Sequence, residues 1–312
     1  MLVLITGFSG FLGQHLVKEL QKLYEITNIV GLSRQGNPFW DMPDKHQIKC
    51  WQCDLTDELQ TKEALERAKP NIIFHFAANP IVKANEAKPI QISFDNILAT
   101  HHLLEYCPQF CRFVFSSSAT VYGDYPGICY ESVMTNPTSV YGATKIASES
   151  LIKSYGKKIS YVILRLIANV GHGAKHGVLP DLLKKIYSSS ETFDILGDNP
   201  GSAKPYAYVK DTVKFAVDIA NNPACFNREL NVGPCDTRNS YGIALQIMNQ
   251  TNIYKPIKWL GESANWQGDN KRVFIDNYRA KSWGYKPIFD TSYKAIEKAI
   301  DELKPFYCSR EK

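Results

Sequence analysis

The chain has 312 residues, of which 44% are hydrophobic and 21% charged, a balance typical of globular proteins that excludes intrinsic disorder. The net charge of +5 is small and no long run of like charges occurs, so neither a nucleic-acid partner nor a membrane-surface partner is indicated. No signal-peptide pattern and no apolar run of about 18 residues occurs, and eight cysteines are too few for a disulfide scaffold. We therefore expect a cytoplasmic protein with free thiols, no membrane segment and no metal site.

The first half of the chain alternates short apolar runs with longer segments of helical periodicity. Six runs have strand character: Leu2–Ile5, Ile26–Leu32, Ile48–Cys53, Asn71–Ala77, Arg112–Ser117 and Ile159–Leu166. Between them, helices are predicted after Thr6-Gly7, from about Asp57 to Lys69-Pro70, and over Ile90–Cys107 and Ser139–Tyr155. This alternation predicts an α/β fold with a doubly wound parallel sheet of the Rossmann type.

From Gly171 onwards, glycines, prolines and short elements dominate the sequence. Helices are expected near Leu179–Tyr187, Val213–Asn221 and Tyr241–Gln250. We expect residues 1–170 to form a dinucleotide-binding domain, with returning segments near residues 205–232. Residues 171–312 would then form mainly a smaller, C-terminal substrate-binding domain.

A glycine loop follows the first predicted strand and opens the first helix. Gly7, Gly10 and Gly13 are spaced three apart, with Phe11 and Leu12 between the last two. Glycines at this position allow a tight turn and a close approach to a pyrophosphate, which the helix N-terminus also attracts. The spacing differs from the usual GxGxxG, but its place between strand and helix predicts dinucleotide binding.

The ends of the next strands predict the rest of the cofactor site. Ser33 and Arg34 close the second strand, where an acidic residue would bind the ribose 2′-hydroxyl of NAD. A hydroxyl and a guanidinium suit a 2′-phosphate, so the cofactor is NAD or NADP with a preference for NADP. A surface arginine at a strand end is the alternative. The residues expected beside the adenine and the rest of the cofactor are Asp54, Leu55, Phe76, Ala77 and Ala78.

Tyr141 and Lys145 are four residues apart at the start of a predicted helix and so share one face. A nearby positive charge lowers the pKa of a phenol and makes it a better base for a hydroxyl proton. Two other pairs match this spacing, but only Tyr141 follows a strand that ends in three serines. Ligands of parallel sheets bind at such carboxyl ends, so Ser118 is expected to bond the reacting oxygen.

Five segments together resemble the extended short-chain dehydrogenase/reductase family, also described as NAD-dependent epimerases and dehydratases, along nearly the whole chain. They are Thr6–Gly13, Phe74–Pro80, Asp95–Thr100, Phe115–Gly123 and Tyr141–Lys145. Within the family, the SSSATVYG segment is most similar to UDP-glucose/UDP-galactose 4-epimerases. The resemblance implies Ser118, Tyr141 and Lys145 as catalytic residues, and Asn96 as the residue that holds the active-site helix in place. Ala119-Thr120 stands where the related dehydratases carry an Asp-Glu pair, so dehydration is disfavoured.

The resemblance also implies the remaining binding residues. Asn96, Ser116, Tyr141 and Lys145 would contact the cofactor. The substrate would contact Asn79, Ser118, Thr120, Asn169, His176, Val178, Lys204 and Asp269. Trp266 occupies the place of a phosphate-binding arginine of the family, and Asn169 is displaced by one position; a polar turn residue is the alternative for Asn169.

These observations lead to three hypotheses. The first is a 4-epimerase of a nucleotide-diphosphate hexose, most simply a UDP-hexose, acting through a transient 4-keto sugar. The second is an NADPH-dependent reductase of a nucleotide-linked 4-keto-6-deoxysugar, which would use the same three residues. The third is a non-catalytic NADP sensor, which the tyrosine–lysine pair argues against. The resemblance further implies a homodimer formed through the helices Ile90–Cys107 and Ser139–Tyr155.

Overall fold

A computed structural model describes residues 1–34, 48–80, 88–261 and 270–308. The strands within these residues are β1 Val3–Thr6, β2 Ile29–Ser33, β3 Lys49–Gln52, β4 Ile72–His75, β5 Arg112–Ser118, β6 Ile128–Cys129, β7 Ser160–Leu166, β8 Ala168–Val170, β9 Phe193–Ile195, β10 Ala203–Lys204, β11 Tyr206–Tyr208, β12 Arg228–Val232, β13 Arg238–Asn239, β14 Ile257–Trp259 and β15 Phe274–Ile275. The helices are α1 Phe11–Leu20, α2 Glu58–Ala68, α3 Pro89–Ser93, α4 Ala99–Tyr106, α5 Val140–Ser154, α6 Val178–Ile186, α7 Val209–Ala220, α8 Ser240–Thr251, α9 Tyr278–Ser282 and α10 Ser292–Cys308.

Seven parallel strands form one sheet in the order β12-β7-β5-β4-β1-β2-β3, which confirms the predicted doubly wound fold. The chain starts in the middle of the sheet and winds first to one edge and then to the other. Thr6 of β1 pairs in register with His75 of β4, and Ser118 of β5 pairs with Leu166 of β7. The carboxyl ends of these central strands therefore meet at one edge of the sheet, where ligands of such folds bind.

Apolar side chains cover both faces of the sheet. Helices α1 and α7 pack on one face, whereas α2, α4 and α5 pack on the other. The central strands are buried on both faces, which explains why β1 and β4 are continuous apolar runs. A further core, formed by α6, α8 and α10 with short strands, lies in the C-terminal half. The division at residue 170 stays a prediction.

Local signals located six strands of the sheet, β1 to β5 and β7, and the helices α1 to α8, but neither β12 nor the short strands outside the sheet. Asp57 caps α2 by accepting from the Gln60 backbone N–H at 3.0 Å, and α2 ends at Ala68 beside Lys69 and Pro70 as predicted. The predicted helix Ile90–Cys107 is present, but its middle, Phe94–Leu98, is π-helical. The second strand starts later than predicted because Ile26–Asn28 is a 3-10 helix.

The long helix α10 was missed by the sequence analysis. Its buried residues recur at helical spacing, but a proline inside the helix and many charged residues conceal the pattern. All eight cysteines are free thiols, and burial raises the pKa of Cys50 and Cys53 to about 11. Among the residues that the structure describes, no helix is both long and apolar enough to span a bilayer.

Candidate active site

The glycine loop lies directly after β1 and against the end of β4. Gly7 has a φ of +69°, and a Cβ built there would lie 2.5 Å from the Ala77 backbone nitrogen. A Cβ at Gly13 would lie 2.1 Å from the Gly7 carbonyl oxygen. Both positions require glycine, because these contacts are to backbone that cannot move aside. The loop can therefore bring the N-terminus of α1, with Phe11 and Leu12 in its first turn, close to a phosphate group.

The ends of β2 and β3 shape the neighbouring part of the site. Ser33 is the last residue of β2, and the Arg34 side chain is 61% exposed, with one guanidinium nitrogen 3.7 Å from a carboxylate oxygen of Asp95. A guanidinium held this loosely is accessible to a phosphate. After β3, Asp54 accepts hydrogen bonds from the backbone N–H and hydroxyl of Thr56, and Leu55 is buried beside it.

The segment after β4 joins the sheet to the active-site helix. Phe76, Ala77 and Ala78 follow β4, and the Asn79 backbone N–H donates to the Asn96 side-chain oxygen at 2.7 Å. The Asn96 amide nitrogen donates to the Thr144 hydroxyl at 3.0 Å, one residue before Lys145. Asn96 is 3% exposed, so these bonds are shielded from water. These contacts link Asn96 to α5, and its role in holding the active-site helix stays a prediction.

Ser118, Tyr141 and Lys145 come together at the carboxyl end of β5. The N-cap Ser139 accepts from the Gly142 backbone N–H and starts α5 just before Tyr141. The Tyr141 hydroxyl is hydrogen-bonded to Ser118. The Lys145 ammonium lies 5.5 Å from the centroid of the Tyr141 ring and donates to the Ser116 carbonyl oxygen at 2.7 Å. The phenol of Tyr141, the hydroxyl of Ser118 and the ammonium group of Lys145 therefore lie close together.

Thr120 orients Ser118. Its backbone N–H and its hydroxyl both donate to the Ser118 hydroxyl oxygen, at 3.2 and 3.0 Å. With both lone pairs of that oxygen engaged, the Ser118 proton is free to point at the Tyr141 oxygen. Burial raises the pKa of Tyr141, and the hydrogen bond with Ser118 opposes that rise. No carboxylate accompanies Ala119 and Thr120 in this 3-10 helix, Ala119–Tyr122.

One electrostatic expectation was wrong for the protein by itself. The sequence predicts that Lys145 lowers the pKa of Tyr141, but burial raises the pKa of Tyr141 to about 12. Burial also lowers the pKa of Lys145 to about 7, while the charge of Glu149 raises it. Desolvation disfavours both charged forms, and the sequence spacing could not reveal it. Ionisation of Tyr141 is therefore disfavoured in the protein alone.

A buried ion pair that was not predicted from the sequence lies next to these residues. The Arg165 guanidinium binds the Glu149 carboxylate with two bonds, at 3.1 and 2.8 Å, and the Ser117 hydroxyl donates to the same carboxylate at 2.5 Å. Glu149 follows Lys145 by four residues on α5, a signal visible in the sequence. Arg165 comes from the separate strand β7, and nothing in the sequence pairs it with Glu149.

A second missed feature is His75, which is 1% exposed in the middle of the sheet. Its Nδ1 lies 2.8 Å from the Thr6 hydroxyl and its Nε2 lies 3.0 Å from the Thr100 hydroxyl. Thr100 donates its own proton to the Asn96 carbonyl oxygen at 2.7 Å, so it accepts from Nε2. His75 is thus neutral, and burial followed by the charge of Lys145 lowers its pKa to about 3.

We predict that His75 makes the protein sensitive to acid. Its pKa in the folded chain lies below the unfolded value of 6.5, so between pH 6.5 and about 3 the unfolded chain binds a proton that the folded chain does not. As the pH falls through this range, His75 should lower the free energy of unfolding by up to about 1.4 kcal/mol per pH unit. Urea denaturation at neutral and acidic pH should show a smaller fall in His75→Asn than in the wild type. The exposed His176→Asn serves as the control, and equal pH slopes for wild type and His75→Asn would contradict the prediction.

The predicted substrate residues of the C-terminal half lie on several elements. Lys204 ends β10 opposite Arg238 of β13, and His176 is exposed just before Val178, the first residue of α6. Asn169 donates to the Ile167 carbonyl oxygen and accepts from the Thr212 hydroxyl at 2.6 Å, so most of its amide is engaged within the protein. A substrate contact by Asn169 stays a prediction. Asp269 and Trp266 lie outside the described residues.

Comparisons with known proteins agree with this geometry. Residues 3–233 match the NAD dependent epimerase/dehydratase family. The uncharacterized UDP-glucose epimerase YtcB of Bacillus subtilis (strain 168) is 30% identical over 287 residues, covering 86% of this chain and 89% of that protein. The crystal structure of a UDP-galactose 4-epimerase has a TM-score of 0.81 and 27% identity, covering 98% of this chain and 99% of that one.

A longer relative matches over a part of its length. The trifunctional UDP-glucose 4,6-dehydratase/UDP-4-keto-6-deoxy-D-glucose 3,5-epimerase/UDP-4-keto-L-rhamnose-reductase RHM3 of Arabidopsis thaliana is 25% identical over 303 residues. The match covers 91% of this chain, which spans 44% of that relative. Given the extent of the family match, the parallel sheet, the glycine loop and the serine–tyrosine–lysine cluster, the chain belongs to the NAD dependent epimerase/dehydratase family.

Proposed function

We propose that this protein is a 4-epimerase of a nucleotide-diphosphate hexose, with a UDP-hexose as its substrate. The observation that carries the proposal is the junction of Ser118, Tyr141 and Lys145 at the carboxyl end of β5. This cluster lies at the edge of the same sheet whose strand β1 leads into the glycine loop, which would hold a dinucleotide. The names of the relatives, a UDP-glucose epimerase and a UDP-galactose 4-epimerase, support the sugar class.

The residues would divide the chemistry as follows. Tyr141 takes the proton from the sugar C4 hydroxyl, and the Ser118 hydroxyl stabilises the phenolate form of Tyr141 by donating to its oxygen. Lys145 supplies positive charge beside the phenol and holds its place through the Ser116 carbonyl. The glycine-loop residues would hold a nicotinamide dinucleotide, whose oxidised ring would supply the hydride acceptor for C4 and a second positive charge. The same hydride would return to the other face of the 4-keto sugar after the sugar turns in the pocket.

The glycine loop supports the dinucleotide itself. A Cβ at Gly7 or Gly13 would collide with backbone, so the loop packs closely against the protein, and this packing supports a close approach of a pyrophosphate. We infer that Gly7, Gly10, Phe11, Leu12 and Gly13 hold the pyrophosphate. The other residues proposed to hold the cofactor are Ser33, Arg34, Asp54, Leu55, Phe76, Ala77, Ala78, Asn96, Ser116, Tyr141 and Lys145. Those proposed for the sugar nucleotide are Asn79, Ser118, Thr120, Asn169, His176, Val178, Lys204 and Asp269.

The direct test is interconversion of hexoses. Purified protein incubated with UDP-galactose should form UDP-glucose, resolved by chromatography, with no net change in NAD(P)H absorbance because the hydride returns to the sugar. Stoichiometric consumption of added NADPH on a 4-keto sugar, without interconversion of the two hexoses, would refute the epimerase and establish the reductase.

The reductase of a nucleotide-linked 4-keto-6-deoxysugar stays the second candidate because of one observation. Arg34 follows β2 where an acid would favour NAD, and its guanidinium is exposed and only loosely paired with Asp95. This arrangement supports a preference for NADP, which a reductase consumes. The same arginine would be compatible with an epimerase that retains NADP.

We predict that Arg34→Gln weakens NADP binding by about 10- to 100-fold, the loss of a hydrogen-bonded contact to a phosphate. The affinity for NAD should change by less than about two-fold, since NAD has no 2′-phosphate. Calorimetric titration of both cofactors measures the two affinities. Ser33→Asp is the complementary variant and should shift preference towards NAD. Unchanged NADP affinity in Arg34→Gln would contradict the prediction.

We also propose a homodimer formed through α3, the π-helical turn, α4 and α5. Ile90 and Phe94 on this surface are 75% and 55% exposed, and Val140 at the start of α5 is 37% exposed. Exposed apolar side chains in one region favour a protein partner, here a second copy of the chain. Light scattering should give twice the monomer mass, and Phe94→Glu should reduce it to the monomer mass. A monomeric wild-type protein would contradict the proposal.

A further inference from the structure

Three consecutive residues of β5 each contact a different residue of α5. The Ser116 carbonyl accepts from Lys145 at 2.7 Å, and the Ser117 hydroxyl donates to Glu149 at 2.5 Å. The third, Ser118, bonds to Tyr141. Tyr141, Lys145 and Glu149 recur at intervals of four residues, so they form one row on the helix face that packs on the sheet. Tyr141 and Lys145 are therefore the first two members of this row, and Glu149 is the third.

The third member of the row is held more tightly than the first two. The Glu149 carboxylate accepts two bonds from Arg165, which lies opposite Ser117 in the sheet register. Glu149 and Arg165 are each 3% exposed. Arg165 is itself fixed by the Tyr122 hydroxyl oxygen at 3.0 Å and the Glu131 carbonyl oxygen at 3.1 Å. The Glu149 carboxylate is therefore held inside the protein, one helical turn from Lys145.

Lys145 lies in surroundings that disfavour its charge. It is 1% exposed, and its ammonium group lies 4.6 Å from the centroid of the Phe115 ring. The titratable groups around it are Tyr141 and Glu149 on α5, His75 on β4 and, beyond Glu149, Arg165 on β7. Tyr141 and His75 are neutral in the protein alone, so Glu149 is the group whose negative charge acts on Lys145 within the described residues.

We infer that Glu149 is a positioning residue of the active site, whose buried carboxylate keeps the Lys145 ammonium group charged and in place beside Tyr141. Arg165 and Ser117 act on Lys145 only through this carboxylate. The inference rests on the proposed function for its catalytic meaning, because in that proposal Lys145 supplies positive charge beside the Tyr141 phenol.

The test follows the titration of Lys145 directly, by NMR of the intact protein with lysine labelled at Cε. The Lys145 signal is assigned by its absence from Lys145→Met. In Glu149→Gln, Lys145 should lose its proton at a pH lower by about one unit or more than in the wild type. Hexose interconversion should then fall more at alkaline than at acidic pH, a change that a merely structural defect would not produce.

Glu149→Gln leaves the buried Arg165 charge without its partner and can unfold the protein. The double variant Glu149→Gln/Arg165→Met removes both charges and keeps the inference falsifiable. It should fold, with the same downward shift in the Lys145 titration. Glu229→Gln breaks an ion pair with Lys153, which is 41% exposed and lies one turn beyond Glu149 on the same helix, and it is the matched control. Its Lys145 titration and pH profile should match the wild type.

The outcomes separate the two proposals. Wild-type titration of Lys145 in the folded double variant, or an equal loss of activity at every pH, would overturn the role of Glu149. The NMR titration tests the role of Glu149 even if the wild-type protein interconverts no hexoses. An absence of interconversion would overturn the proposed function alone.

Discussion

Tyr141→Phe should lower the turnover of UDP-hexose by about 10²- to 10⁴-fold, the range expected when a general acid–base group is removed. The change deletes one oxygen atom and leaves the ring in place, so the fold should be unaffected. Its hydrogen bond partner Ser118 keeps both bonds from Thr120, which preserves the local geometry. Initial rates at saturating substrate, with cofactor content measured on the same sample, give the comparison.

A second tyrosine in a YxxxK pattern provides the matched control for the loss of activity. Tyr254 with Lys258 has the same spacing, but Tyr254 is 69% exposed and far from β5 in the sequence. Tyr254→Phe should retain the wild-type rate. Retention of most activity by Tyr141→Phe would remove Tyr141 from the mechanism and with it the epimerase proposal.

Gly13→Ala should destabilise the protein and abolish dinucleotide binding, although alanine is favoured over glycine within helices by about 1 kcal/mol. The new Cβ would lie 2.1 Å from the Gly7 carbonyl oxygen and 2.5 Å from the Phe8 Cα. These are backbone atoms of the glycine loop, so the loop must shift. We expect the free energy of unfolding to fall by about 1–3 kcal/mol, as for other overpacked sites. Chemical denaturation and cofactor titration measure the two effects.

Gly10→Ala is the control for this prediction. A Cβ there meets only the Gly7 carbonyl oxygen, at 3.2 Å, and the φ of −75° suits any residue. Its stability should stay within about 0.5 kcal/mol of the wild type, while its methyl group would still crowd a bound pyrophosphate. Equal stability of Gly13→Ala and Gly10→Ala would show that the loop is not as tightly packed as the structure indicates.

The sequence was sufficient wherever the deciding interaction is local. The strand and helix periods, the Asp57 cap and the glycine spacing each depend on residues close together in the chain, and the seven-stranded sheet confirms the fold they predicted. Tyr141 and Lys145 lie on one helix face because helix geometry alone places them there. The missed helix α10 shows the limit of this reasoning, since a proline and exposed charges hid its buried stripe.

Only the tertiary structure revealed the partners and the electrostatics of the site. Arg165 reaches Glu149 from another strand, and His75 contacts Thr6 and Thr100 from separate elements. The pKa of Tyr141 is raised rather than lowered because packing removes the water that would stabilise a phenolate. Burial is created by segments distant in the chain. The sequence therefore determined which chemical groups are present, and the tertiary structure decided how strongly burial disfavours the charged form of each group.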